Sequence, residues 1–202
     1  AELSYEKHEF LREKCANNSI EFLSSAFSVN DAELLKKLNC DSIKIPSFEV
    51  NNFELLNFCK NNFKRIFVST GTATEKEIIK LKELFNNWIG ELIVMHCVSA
   101  YPCLAERINL PRISHLREYF KNVGFSDHTQ GIKSTISSVN FEPLFIEKHF
   151  TIDQNLPGRD NKFAILPIDL RNLKKFIIFS KEANKFRGMN FLKSEKEVRN
   201  VY

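Results

Sequence analysis

Apolar residues fall in short runs along this chain, separated by stretches with helical spacing. Six runs read as strands: IEFLSSAF (20–27), SIKIPS (42–47), RIFVST (65–70), ELIVMHCVS (91–99), VGFSDH (123–128) and PLFIEKHF (143–150). Their starts lie 22, 23, 26, 32 and 20 residues apart. NDAELLKKLN spaces its apolar residues as a helix does, with Asn30 or Asp31 as N-cap. TATEKEIIKLKELFNNW opens with Thr72 and Glu75 spaced as a capping box. NLPRISHLREYFKN and DLRNLKKFIIFSKEAN read as two more helices, and SYEKHEFLREKCANN starts the chain in a helix-like pattern. Strands alternating with helices at this period predict βα units and a parallel α/β sheet.

Two architectures fit that alternation, an open doubly wound sheet and a (β/α)8 TIM barrel. The glycine-rich dinucleotide fingerprint of the first is absent. The polar residues favour the second. Nearly every run ends in small or ionisable groups: Ser25, Ser47 with Glu49, Ser69 with Thr70, Ser99 with Tyr101, Ser126 with His128, and Glu147 with His149. A barrel converges those ends on one face, where such folds place their chemistry. Six strands are too few for a closed barrel. The expectation is an incomplete TIM barrel with strands three to eight present and the first two βα units missing.

Composition changes this picture little. The 202 residues carry 29 Lys and Arg against 25 Asp and Glu, a net charge of +4, with no basic block. Nucleic acid is not an expected partner. The longest apolar runs are too short to span a membrane. Five cysteines, an odd number without a CxxC pair, predict reduced thiols. With no secretory leader pattern in the first residues, a cytoplasmic location is expected.

The candidate chemistry lies at the strand ends. Side chains alternate along a strand, so Ser126 shares a face with His128, and Glu147 with His149. If these strands are neighbours, His128 and His149 meet at the mouth of the barrel. Two imidazoles with open positions suit a divalent metal that also holds substrate and water. The plainer reading is that each histidine bonds locally at its strand end. His96, inside VMHCVS, reads as structural.

Lys44, Ser47 and Glu49 cluster in KIPSFE. An ammonium within a strand needs a partner. An anionic substrate would supply one; so would an ion pair with Glu49 or a path to solvent. VSTGT (68–72) sets hydroxyls and a glycine at a strand-to-helix turn, a weak anion-binding signal. LPGRDN (156–161) is a turn whose Arg159 and Asp160 read as exposed loop residues, or with Asp160 capping the site.

Taken together, KIPSFE, STGTAT, MHCVSAYP, NLPRI, GFSDHTQG, IEKHFTID and LPGRDN resemble the sialic acid synthase family, which includes the N-acetylneuraminate, legionaminate and pseudaminate synthases. The motifs run in family order over residues 20 to about 170. The resemblance implies a TIM-barrel catalytic domain over residues 1–180 and, at 181–202, a linker towards a C-terminal antifreeze-like domain. It implies condensation of phosphoenolpyruvate with an open-chain N-acetylated hexosamine such as N-acetylmannosamine, giving a nine-carbon 2-keto acid and phosphate. His128 and His149 would hold a divalent metal, Mn2+ first, with Mg2+ or Co2+ as alternatives. Ser25, Lys44, Ser47, Ser69, Ser99 and Ser126 would bind phosphoenolpyruvate. Glu49, Tyr101 and Asp160 would contact the amino sugar. A homodimer is implied for the full-length enzyme.

The chain departs from the family pattern in places. Ser25 stands where Thr is frequent, Pro46 and Phe48 stiffen and enlarge a turn that usually holds glycines, and Arg159 adds a charge to the Pro-Gly loop. The family's first two strand motifs have no counterpart here, and KSEKEVRNVY matches the linker. An internal piece of a longer enzyme, inactive alone, is therefore expected. The alternatives are a metal-dependent pyruvate aldolase on the same barrel and a sugar-binding remnant without catalysis.

Overall fold

The computed structural model describes residues 3–201. An N-terminal helix, α1 (Tyr5–Asn17), buries none of its residues. Helix α2 (Val29–Lys37) follows, with the Ser28 hydroxyl accepting the Asp31 N–H at 3.2 Å as its cap. The repeating unit then begins: β1 (Ser42–Ile45), α3 (Phe53–Asn62), β2 (Arg65–Ser69), α4 (Glu75–Leu84), β3 (Glu91–Cys97), α5 (Arg112–Leu116), β4 (Asn122–Asp127), α6 (Lys133–Ser138), β5 (Ile146–Lys148) and α7 (Pro167–Ala183). A one-turn α8 (Lys196–Arg199) lies in an exposed tail.

The five strands form one parallel sheet in chain order, β1-β2-β3-β4-β5. Because each strand returns beside its predecessor, every crossover carries a helix to the same outer side, as in a barrel wall. The sheet curves into a half-barrel. Its two end strands approach across the concave side, where Lys44 of β1 bonds Glu147 of β5.

Period-two alternation sorts the side chains. Ile43, Ile45, Ile66, Val68, Val94, Val123 and Phe125 face outward into a core shared with Leu35, Leu55, Leu56, Leu81, Ile113 and Leu116 of the helices. Each such fully buried side chain contributes about 1.5–3 kcal/mol. Phe67, Ile93 and Met95 face inward with Phe145. Phe67 and Phe145 meet edge to face at 5.0 Å. Gly124 pairs in register with Met95, and a Cβ there would lie 2.3 Å from Met95 Sδ. Glycine at this point lets methionine fill the interior.

The outline read from the pattern holds, with corrections. Residues 20–27 make no ladder. They give one bridge, Ser25 with Lys44, through Ala26 N–H to Lys44 O at 2.9 Å and Lys44 N–H to Ser24 O at 3.0 Å. Ile20, Leu23 and Phe27 remain exposed, so little burial supports a longer pairing. Five strands, rather than six, therefore stand among the described residues. The capping box is Thr74 with Glu77, not Thr72 with Glu75: Thr74 N–H reaches Glu77 Oε2 at 2.7 Å. Thr72 instead donates its hydroxyl to Ser47 O at 3.2 Å. In NLPRISHLREYFKN only Arg112–Leu116 is α-helical; Asn109, at φ 51°, stands outside the helix. Helices α3 and α6 were not read from the pattern. α3 is capped by Asn52, whose side chain accepts the Leu55 N–H at 3.1 Å.

Among the described residues no helix is long and apolar enough to cross a membrane, and the five cysteines are unpaired.

Candidate functional site at the strand ends

The C-terminal ends of the strands gather nearly all the residues picked out by spacing. Lys44 and Glu147 pair on the concave side, with both carboxylate oxygens on the ammonium. Ser126, in register with Glu147, helps hold that carboxylate ionised. Burial works to raise the Glu147 pKa, but the Lys44 charge and hydrogen bonds outweigh it and hold the carboxyl below its ordinary range. The partner of Lys44 is thus Glu147. Glu49, the protein partner suggested by proximity in sequence, sits in a 3-10 turn and accepts from Asn52 Nδ2 at 2.8 Å. Beneath the pair lies a cavity of about 370 Å³ lined by Leu23, Phe67, Met95, Phe145 and Ile146.

Beside the ion pair is a tight cluster of small polar groups. Ser47 Oγ accepts the Gly71 N–H at 3.0 Å and lies 3.6 Å from Cys97 Sγ. Cys97 Sγ lies 3.9 Å from Ser99 Oγ and 3.6 Å from His128 Nδ1. A Cβ on Gly71 would come within 2.3 Å of Ser99 Oγ and 2.9 Å of Ser47 Oγ, so only glycine admits this approach. Ser69 is buried, and its hydroxyl has no hydrogen-bond partner. By alternation with Phe67 it points to the concave side. An orphaned hydroxyl on the same concave face as a cationic side chain, small hydroxyls and a glycine turn is a suitable donor for an anion.

The two histidines meet as their spacing predicts, with ring centroids 5.1 Å apart. His128 Nδ1 lies 3.2 Å from Val98 O, and His149 Nδ1 lies 3.4 Å from Asp160 Oδ2. With Nδ1 protonated on each ring, both Nε2 atoms keep a lone pair, and neither has a hydrogen-bond partner among the described residues. Burial drives the His128 pKa down to about 4, helped by His149. Burial also lowers that of His149, against the pull of Asp160. Both rings are therefore neutral near pH 7, the form a metal requires. No group of three or more His, Cys, Asp or Glu is placed to hold a metal among the described residues. The donor set fits a divalent ion held by two imidazoles, with its other positions open to oxygen ligands.

Tyr101 covers this pair, its ring centroid 4.3 Å from His128 and 5.9 Å from His149, with one side left to solvent. Asp160 stands in place as the partner of His149. Ser25 is exposed, in bridge register with Lys44, and borders a different hollow that holds His8 and Asp31. His96, read as structural, is fully buried and bonds Ile108 O through Nε2 at 2.7 Å.

One site residue escaped the sequence reading. Cys97 sits at the centre of the hydroxyl cluster; its position two residues before Ser99 on one strand face was the available signal.

Comparison with known proteins places the chain in a family. Residues 1–187 match the NeuB family. The chain is 37% identical over 167 residues to the pseudaminic acid synthase of Campylobacter jejuni, covering 82% of this chain and 49% of that protein. It is 35% identical over 182 residues to the N,N'-diacetyllegionaminic acid synthase of Legionella pneumophila, covering 87% and 51%. It thus spans about half the length of these curated relatives. The crystal structure of the N-acetylneuraminic acid (sialic acid) synthetase of Leptospira borgpetersenii superposes with a TM-score of 0.91 at 27% identity, over 99% of this chain and 70% of that one. The chain belongs to the NeuB family, the enzyme family of the pseudaminic, legionaminic and sialic acid synthases.

Proposed function

We propose that these residues form the phosphoenolpyruvate- and metal-binding wall of a nonulosonic acid synthase that condenses phosphoenolpyruvate with an N-acetylated hexosamine. The observation that carries this reading is the convergence, at one end of the half-barrel, of Lys44, the Ser47–Gly71–Ser99 cluster and the orphaned Ser69 hydroxyl with two imidazoles whose Nε2 atoms are free. In the reaction the methylene carbon of phosphoenolpyruvate bonds to the aldehyde carbon of the sugar. Water supplies the oxygen of the new ketone, and phosphate leaves.

Lys44 and the hydroxyls of Ser47, Ser69, Ser99 and Ser126 hold the phosphate and carboxylate. Tyr101 and Asp160 border the sugar side, and Glu49 lies at its margin. His128 and His149 would hold a divalent ion, Mn2+ before Mg2+ or Co2+, which when bound would supply Lewis acidity. The half-barrel is read as strands three to eight of a full barrel, with Ser24 to Ala26 as the remnant of strand three. Residues 181–202 are read as a linker, and the intact enzyme as a cytoplasmic homodimer.

Calorimetric titration of the full chain tests the reading. One Mn2+ per chain is expected, with binding lost in H128A/H149A, and phosphoenolpyruvate binding that depends on Lys44. In the intact enzyme, phosphate release from phosphoenolpyruvate should require both metal and N-acetylated hexosamine. Unchanged Mn2+ affinity in H128A/H149A would sink the proposal.

A further inference from the structure

The ladder between β4 and β5 has three pairs: Phe125 with Ile146, Ser126 with Glu147, and Asp127 with Lys148. It stops one residue short of both histidines. There the backbones part. The His128 carbonyl accepts the Cys103 N–H at 2.9 Å, while the His149 carbonyl accepts the Ile165 N–H at 2.8 Å. Two rings whose centroids lie 5.1 Å apart are therefore mounted on diverging supports.

At the last rung, on the outer face, side chains cross-link the two strands. Lys148 Nζ lies 3.1 Å from Asp127 Oδ2 and donates to Thr129 O. Asp127 Oδ1 accepts the Thr129 N–H at 2.8 Å, and its Oδ2 accepts the Thr135 hydroxyl of α6. The Lys148 and Asp127 side chains are 5% and 0% exposed. Burial lowers the Lys148 pKa, and the Asp127 charge opposes that shift. The network grips the backbone on both sides of His128 and ties it to the residue before His149.

Stability gives little reason to place an ion pair here. Well-packed apolar residues in place of a buried pair are commonly neutral or stabilising. Apolar contacts, however, do not fix direction, whereas four hydrogen-bonded contacts on one carboxylate and one ammonium do.

We infer that Asp127 and Lys148 are a positioning clasp that sets the spacing and aim of His128 and His149. The inference rests on the reading of those histidines as metal donors. Partners that orient metal ligands characteristically change metal affinity on the order of 10- to 100-fold when removed.

The test compares D127N/K148M with H128A/H149A in the full chain. It reads Mn2+ affinity by calorimetry, melting temperature, and the imidazole nitrogen resonances of the metal-free protein. D127N/K148M removes both charges together, so neither is left buried alone. The expected result is an unchanged or raised melting temperature, Mn2+ binding weakened on the order of 10- to 100-fold, and displaced His128 and His149 resonances. Wild-type affinity and unmoved resonances in D127N/K148M, with binding lost in H128A/H149A, overturn the clasp alone. A lowered melting temperature with unchanged affinity marks a merely structural pair and also overturns it. Unchanged binding in H128A/H149A overturns the metal reading instead. Should D127N/K148M fail to fold, T135V carries the test: it removes one hydrogen bond from Asp127 and leaves both charges. Weakened Mn2+ binding in T135V upholds the clasp, and wild-type affinity overturns it.

Discussion

Lys44 and Glu147 stand 103 positions apart in the chain, on the first and last strands of the sheet, and form an ion pair across its concave face. Lys44 is 15% exposed and Glu147 41%. The lysine is sheltered and its partner still meets water. An incoming anion therefore finds a cation that is in place and partly neutralised.

That arrangement predicts opposite effects for the two halves of the pair. Lys44→Met removes the cation and leaves a carboxylate facing the ligand. Phosphoenolpyruvate binding should weaken roughly 10- to 100-fold, the scale of a hydrogen bond to a charged group. Glu147→Gln removes the competing charge while keeping the shape, and binding should tighten several-fold. Calorimetry on both variants checks the signs. Weaker binding in Glu147→Gln would show that the carboxylate helps rather than competes.

Ser69 carries a stability cost that a ligand would repay. Its buried hydroxyl is unpartnered, which costs about 1–3 kcal/mol. Ser69→Ala should raise the melting temperature of the ligand-free protein by a few degrees. The same change should reduce the stabilisation that phosphoenolpyruvate provides. Thermal melts with and without ligand measure both. A lower melting temperature for the free variant would mean that the hydroxyl has a partner after all.

Gly71 predicts a steric effect confined to the site. An alanine Cβ would press on Ser99, Cys97 and Ser47 at once, at 2.3, 2.8 and 2.9 Å. Relieving that overlap costs about 1–3 kcal/mol and moves the very hydroxyls proposed to hold the anion. Gly71→Ala should lose anion binding by more than tenfold, and Gly71→Val more still. Near-native affinity in Gly71→Ala would place the anion elsewhere.

His96 links stability to pH. Burial pushes its pKa down to about 4 from an ordinary 6.5, against the bond to Ile108 O, with Arg112 adding to the fall. The folded value lies below the unfolded one. The contribution is thus complete above pH 6.5 and lost as pH falls towards 4. Its ceiling is about 3 kcal/mol. His96→Phe keeps the stacking on Phe125, whose ring lies 5.6 Å away and nearly parallel. It should lower stability at neutral pH, through the lost hydrogen bond, yet flatten the decline between pH 6.5 and 4. Denaturant unfolding across that range checks the slope, and a slope equal to wild type would remove His96 as a cause.

Much of this architecture is written in local pattern. The βα alternation follows from short continuous apolar runs such as RIFVS and ELIVMHC set between helical stretches, as strands buried on both faces of a parallel sheet require. Period-two alternation puts His128 beside Ser126 and His149 beside Glu147. Motifs at strand ends and in the LPGRDN loop named Tyr101, Asp160, His128 and His149, and the fold brings them together. Helix α3 was harder to read, because FELLNFCKNN carries phenylalanine and cysteine on several faces and its Asn52 cap is a weak signal in an asparagine-rich chain.

The sequence by itself determined which face of each strand a residue occupies. Tertiary structure alone decided which residues share a height on that face. Lys44 meets Glu147 rather than nearby Glu49 because the sheet curls and brings β1 to β5. Cys97 becomes the hub of Ser47, Ser99 and His128 because strand register aligns three chain segments. Asp127 and Lys148 bond because they form the last rung of one ladder, a fact set by a register of three pairs. Alternation is a property of one strand's backbone, whereas register, curl and the point where ladders diverge arise from many strands packed around common cores.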